Sequence, residues 1–137
     1  MNPFIQVRKT TPIFLVTLVC FGLLPAAQAL LPPPPPDGGY PGQNTAEGED
    51  ALFSVNVTFG RLNTAIGFHA LHDNTTGQEN TVVGNAALRA NTTSANTAIG
   101  SIALANNTSG FNNTATGAHT LVDNTDNNNT AMGTSAM

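Results

Sequence analysis

Residues 63–79 of the chain read NTAIGFHALHDNTTGQE, and three variants of this phrase follow: NTVVGNAALRANTTSA over 80–95, NTAIGSIALANNTSGFN over 96–112 and NTATGAHTLVDNTDNN over 113–128. Weaker copies begin at Asn44 and Asn129, so the phrase starts six times. The regular copies are 17 and 16 residues long in alternation, and the lost residue falls in the polar link before the next Asn. Changes in length are therefore confined to a turn.

Several columns keep one chemistry when the six copies are aligned on their first Asn. The first column is Asn, the second is Thr, the fifth is Gly and the ninth is a large aliphatic residue. In the four regular copies these ladder positions are Asn63, Asn80, Asn96 and Asn113; Thr64, Thr81, Thr97 and Thr114; Gly67, Gly84, Gly100 and Gly117; Leu71, Leu88, Leu104 and Leu121. The third column is small and apolar, whereas the sixth has no common chemistry. We expect uniform columns to face the interior or a stack, and mixed columns to face water.

The short fixed period indicates the fold. A period below about 20 residues is typical of a stack in which each repeat contacts only its neighbours, and helical pairs need more than about 30 residues. We therefore predict an all-β fold, a single-chain parallel β-solenoid (β-roll) of about five to six coils of 16–19 residues. Stacked Asn side chains can then bond amide to amide, and the Gly column predicts a corner. The xxAL pattern after each Gly predicts a short helical or 3₁₀ turn that points Leu inward.

The first 29 residues have the organisation of a signal peptide. Arg8 and Lys9 precede the apolar run 13–24, and Ala27-Gln28-Ala29 provides a cleavage site after Ala29. The alternative of a membrane anchor is disfavoured because the run is shorter than the roughly 20 residues that span a bilayer. We expect an exported protein, secreted or at the cell surface, without a membrane segment after cleavage.

Three regions follow the predicted cleavage site. Residues 30–43 contain five consecutive prolines and then glycines, which predicts a stiff linker ending in a flexible hinge. Residues 44–62 form a stretched copy, as expected for an irregular N-terminal capping coil. Residues 63–137 form the regular solenoid, which breaks off within a repeat at Met137.

Composition narrows the classes of function. Without Arg8 and Lys9 the formal charge of −4 becomes −6, and without Cys20 no cysteine remains for a disulfide or a thiol catalyst. Arg61 and Arg89 are then the only cationic residues, too few to neutralise a phosphate backbone. Nucleic acid is therefore not an expected partner.

Candidate catalytic and metal-binding residues are sparse. His69 and His119 share a column three coils apart, about 14 Å at strand spacing, so they cannot share a metal. His69 and His72 can approach each other near Asp73, but a metal site needs three or four convergent ligands. Asp73 and Asp123 also recur three coils apart, beyond the separation that glycoside hydrolysis uses. We therefore predict no metal, no cofactor and no enzymatic activity.

Two columns are candidates for external contacts. Strand alternation places the hydrophobic fourth-column residues opposite the third column, as an inter-chain surface made of Ile66, Val83, Ile99 and Met132. The alternative is that they line the interior of the roll. The regular Thr column, if it lies on a flat outer face, has the form of an ice-binding surface; it is alternatively buried between coils or chains.

The repeat resembles known families. The NTAIG phrase, with Gly and Ala-Leu at fixed offsets, is similar to the head repeats of YadA-like trimeric autotransporter adhesins, and still more to NTAxGxxALxxNTTG arrays of exported bacterial and phage-tail-like proteins. The resemblance covers residues 44–137 and implies a parallel β-roll in homo-oligomers, with trimers in the adhesin heads. It implies an exported, non-catalytic structural or adhesive head or stalk module with a host-surface or glycan ligand. The alternatives are a carbohydrate-binding or tail-spike-like module and an ice-binding solenoid.

Overall fold

The computed structural model describes residues 40–137 of the chain. These residues form six strands of three residues each: β1 (Thr45–Glu47), β2 (Thr64–Ile66), β3 (Thr81–Val83), β4 (Thr97–Ile99), β5 (Thr114–Thr116) and β6 (Thr130–Met132). The strands pair in parallel, in sequence order, in a single sheet. The predicted all-β parallel solenoid is confirmed. The predicted signal peptide and residues 30–39 of the linker lie outside the described residues.

The register of the sheet matches the repeat alignment. Thr64 pairs with Thr81, Ala65 with Val82, and the same columns meet at every other strand pair. We call residues 44–62 the cap coil and number the following repeats coil 1 (63–79), coil 2 (80–95), coil 3 (96–112), coil 4 (113–128) and coil 5 (129–137). Each coil therefore lies directly on its neighbour in the chain.

Three columns fill the narrow interior. The third column is buried between the sheet and the opposite wall, and the eighth and ninth columns pack against it. The ninth-column leucines of the cap coil and of coils 1 to 3 are fully buried, and Leu121 of coil 4 is nearly so. Because each buried Leu contributes roughly 1.5–3 kcal/mol, these leucines are the main hydrophobic stabilisation of each coil.

The first-column Asn side chains link each coil to the next. In each of the five steps the side-chain carbonyl accepts the backbone N–H of the next Asn, as in Asn80 Oδ1 from Asn96 N at 3.0 Å. The side-chain amide of Asn80 donates to Thr93 O, in the link of its own coil, at 2.9 Å. Amide-to-amide bonds, which the sequence suggested, add to this in the first two steps. The hydrogen bond that recurs between the first-column Asn residues of adjacent coils is thus one between a side chain and a backbone N–H.

A second buried Asn column lies at the start of the links, and sequence reasoning had assigned it only to turns. Asn74, Asn91 and Asn107 are fully buried. Asn74 Oδ1 accepts the N–H of Gly77 at 3.1 Å, and Asn107 does the same for Gly110 at 3.0 Å. These side chains close the link of each coil. In residues 40–137 every buried side-chain nitrogen and oxygen has a hydrogen-bond partner.

The Gly column lies where backbones of adjacent coils come closest. Gly67 has φ +133°, and a Cβ there would lie 2.6 Å from the carbonyl oxygen of Gly84. The same obstruction recurs along the column down to Gly117, but a Cβ on Gly133 would meet no atom within 4 Å. The column therefore needs glycine for two reasons, a positive φ and the close approach of the next coil.

The short helical turn expected at the xxAL positions is not formed, and residues 40–137 contain no helix able to cross a membrane. His69 and Leu71 instead have φ of +54° and +52°, with Ala70 between them bonded back to Gly67. This alternation directs His69 N to Glu49 O in the preceding coil and Leu71 N to Ala87 O in the following coil. A right-handed helical turn would keep those N–H groups within the coil. The hydrogen bonds between stacked coils outweigh the conformational cost of about 1–2 kcal/mol for each residue in the left-handed region.

The cap coil extends slightly further than the sequence indicated. Tyr40 and Asn44 form an antiparallel bridge, and the Asn44 side chain donates to Pro41 O and to Gly60 O. Tyr40 is half-buried against the core. Residues 40–43, predicted as part of a flexible hinge, therefore turn back onto the solenoid.

Substitution of Gly84 tests the close approach within the Gly column. Gly84→Ala places a Cβ against the Gly100 backbone of coil 3 and is expected to lower the free energy of unfolding by about 3 kcal/mol or more. Gly133→Ala is the matched control, because its φ is also positive but its Cβ meets no atom; only backbone strain of about 1–2 kcal/mol is expected. Urea unfolding followed by circular dichroism measures both. Equal losses would contradict the packing argument.

Substitution of Asn80 tests the first column. Asn80→Ala leaves the buried Asn96 N–H without its partner, whereas Thr93 O keeps its hydrogen bond from Asn91 Nδ2, so the free energy of unfolding is expected to fall by about 1–3 kcal/mol. Asn85→Ala is the matched control, because Asn85 lies in the same coil but is exposed to solvent. This substitution is expected to change the free energy of unfolding by about 0.5 kcal/mol or less. A first-column variant as stable as this control would show that the ladder does not hold the stack together.

Candidate functional site

The outward side of the sheet carries two side-chain columns, which we call the strand face. One is the Thr column, and the other is the fourth column, made of Glu47, Ile66, Val83, Ile99, Thr116 and Met132. Both project away from the core because side chains alternate along a strand and the third column between them is buried. The strand face is therefore a regular outer surface that the repeat creates.

The fourth column is apolar and solvent-exposed through the middle of the stack. Ile66, Val83 and Ile99 expose 41%, 38% and 42% of their surface, and Met132 exposes 74%. The structure places these four residues on the outside, not in the interior of the roll. Beyond Glu47 of the cap coil, the strand face carries no charged side chain in the described residues. It is a row of aliphatic groups beside a row of hydroxyls.

The Thr column is uniform although it faces outward. Its members are exposed or half-buried, and the threonine hydroxyls that form hydrogen bonds within residues 40–137 belong to other columns, at Thr92, Thr93 and Thr120. Internal packing therefore does not require a hydroxyl in this column. β-Branched residues suit strands, but Val and Ile would serve that purpose equally well. A uniform hydroxyl on the outside points to a role in external contacts.

The histidines occupy two separate places. His69 and His72 of coil 1 lie close together, with ring centroids 4.8 Å apart, and Asp50 of the cap coil lies 3.3 Å from His69 Nε2. His72 Nδ1 is 2.6 Å from Asp73 Oδ1. His119 lies in the same column as His69 but three coils further along the stack, in coil 4, where it lines an open cavity of about 310 Å³ with Leu121, Val122 and Met137.

Sequence reasoning brought His69, His72 and Asp73 together but missed Asp50. The available indication was the alignment itself, because Asp50 and His69 both stand in the seventh column of adjacent coils. The residues that lengthen the cap coil follow the ninth column, so they leave the register of Asp50 and His69 unchanged. Asp73 and Asp123 stay in one column three coils apart, as expected, and Asp123 accepts a hydrogen bond from Asn106 at 2.6 Å.

The comparisons with known proteins assign no function to these surfaces. No protein-family model, no curated protein and no solved structure matches this chain.

Proposed function

We propose that the chain is an exported, non-catalytic structural or adhesive solenoid that acts as a head or stalk module and associates through its strand face. The observation that carries this proposal is the row of Ile66, Val83 and Ile99, held outward at 38–42% exposure in consecutive coils. A contiguous apolar row of this kind on a soluble fold marks a contact surface. The leader-like residues 1–29 support export, and the resemblance to adhesin heads supports a trimer.

The geometry of the stack favours side-by-side association. All fourth-column residues lie on one face at strand spacing, so copies related by rotation about an axis parallel to the stack can bring their strand faces together along the whole length. Burial would remove the isoleucines from water, and the threonine hydroxyls would bond across the interface. Surfaces outside the strand face, where the mixed sixth column lies, would remain free to bind a host-surface or glycan ligand.

Ice binding is a second candidate function, favoured by the outward Thr column with its hydroxyls. A flat array of hydroxyls and methyl groups at regular spacing can order water in a lattice. The two functions compete for the same surface, because a strand face buried in a trimer cannot meet ice. A carbohydrate-binding or tail-spike-like module is the remaining alternative, and glycan-array binding by the chain from Leu30 onward would support it.

The oligomer proposal is tested by light scattering after size-exclusion chromatography of residues 30–137. We expect a trimer, and Ile99→Asp is expected to raise its dissociation constant about tenfold or more, because a charge would be buried at the centre of the interface. Phe111→Asp is the matched control, since Phe111 is 44% exposed and lies off the strand face. A wild-type chain that remains monomeric over a range of concentrations would remove the strand face as a self-association surface.

The ice-binding candidate is tested by thermal hysteresis of the same chain. If it is correct, the wild type shows hysteresis and Thr97→Lys abolishes it, since the long side chain interrupts the flat hydroxyl row. Thr76→Lys, in the exposed link of coil 1, is expected to leave the activity intact. Absence of hysteresis in a chain that is monomeric would dispose of this candidate.

A further inference from the structure

The junction of the cap coil and coil 1 gathers side chains that can ligate a metal ion. One ligating atom each of Asp50, His69 and His72 lies within 4.8 Å of the others, and all three residues are half-buried. Among residues 40–137 this is the one group of three such residues that comes together. We propose that Asp50, His69 and His72 form a binding site for a divalent transition-metal ion of the Zn²⁺ type.

The separations suit a tetrahedral ion. Ligands at about 2.0–2.1 Å from zinc are about 3.4 Å from each other in a tetrahedral shell. The 3.3 Å between Asp50 Oδ2 and His69 Nε2 already corresponds to one edge of such a shell. The remaining ligand atoms lie within 4.8 Å of one another, so these separations must shorten when an ion binds. Three protein ligands leave the fourth position for water or an external ligand.

Asp73 supports the third ligand. Its carboxylate lies 2.6 Å from His72 Nδ1 and fixes the proton there, so that Nε2 is the nitrogen with a free lone pair. A carboxylate on the non-ligating nitrogen is the usual outer partner of a metal-binding histidine. Asp73 therefore acts as a positioning residue in this site.

Two phenyl rings orient the imidazoles. Phe53 stacks on His72 with centroids 5.1 Å apart and an interplanar angle of 5°, and Phe68 stacks on His69 at 3.8 Å. The stacking restricts ring rotation and covers one side of each imidazole. The ligands are thereby partly ordered before an ion arrives.

The backbone that positions the site is repeated in every coil, but the ligands are not. Asp50 and His69 occupy the seventh column, where φ is positive in each coil, so their side chains stack in register. The same column continues with Ala86, Ile102, His119 and Ser135. The site therefore exists only where the cap coil meets coil 1, and an ion bound there would cross-link the two.

The donor set selects among cations. Two imidazole nitrogens and one carboxylate suit Zn²⁺, Cu²⁺ and Ni²⁺, whereas Ca²⁺ and Mg²⁺ require oxygen ligands. Metal binding is independent of the role of the strand face, because the cluster and the fourth column lie in different columns of the coil. Failure of one proposal would leave the other standing.

Calorimetric titration of the full chain with ZnCl₂ at neutral pH, without a histidine tag, tests the site. We expect about one ion per chain, with Asp50→Asn, His69→Gln and His72→Gln each weakening binding by tenfold or more and Asp73→Asn by about 10- to 100-fold. His119→Gln, in the same column as His69, is the matched control and is expected to bind as the wild type does. Cys20 is retained in every variant, so thiol binding cannot produce these differences.

Two further measurements distinguish zinc binding at this site from binding elsewhere on the chain. At about 100 times its dissociation constant, Zn²⁺ is expected to raise Tm by about 10 °C in the wild type and not in Asp50→Asn, while both proteins have the same Tm in chelator. Ca²⁺ is expected to have no effect. Zinc binding that is unchanged by the ligand substitutions, or equal binding of Ca²⁺, would overturn the proposal and leave a surface His–Asp ion pair.

Discussion

The structure depends on one hydrogen bond repeated at every step: the side-chain carbonyl of a buried Asn accepts the backbone N–H of the next Asn. This hydrogen bond holds adjacent coils at a fixed spacing, because its acceptor and its donor belong to neighbouring repeats. The same side chain also donates to the link of its own coil, as Asn80 does to Thr93. The three-residue strands have few ladder bonds of their own, so this side-chain bond adds to the backbone bonds that the turns of each coil make to their neighbours, as His69 N does to Glu49 O.

The close stacking that the Asn column sets has consequences for the rest of each coil. Backbones meet so closely at the fifth column that only glycine fits, as at Gly67 and Gly84. From there to the ninth column the chain alternates the sign of φ, which directs its N–H groups to the coils on both sides. The interior that remains is narrow and is filled by small residues and one Leu per coil. Few interior positions of a coil can accept another residue type, so the coils differ from one another mainly in their outward-facing side chains.

Prediction from the sequence succeeded where a column has a single physical requirement. The strand register and the inward Leu column follow from the period and from strand alternation, and the structure has both; of the two positions left open for the fourth column, it has the outer one. Prediction failed for the turn after Gly, because propensity favours a right-handed turn at Ala-Leu, whereas stacking demands bonds to other coils. It also missed the second Asn column, although the recurring Asn-Thr-Thr links at Asn74 and Asn91 contained the signal. For the candidate site, it paired His69 with His72 but left out Asp50.

The sequence by itself determined the repeat length, the columns and their register, because a periodic chain that stacks on itself must place like residues over like. Only the tertiary structure decided how the turns of adjacent coils direct their side chains. The left-handed backbone at Asp50 and His69 brings these two residues together across a coil boundary, and His72 joins them from the same coil as His69. That meeting depends on φ angles set by hydrogen bonds between coils, and such bonds exist only once the stack has formed.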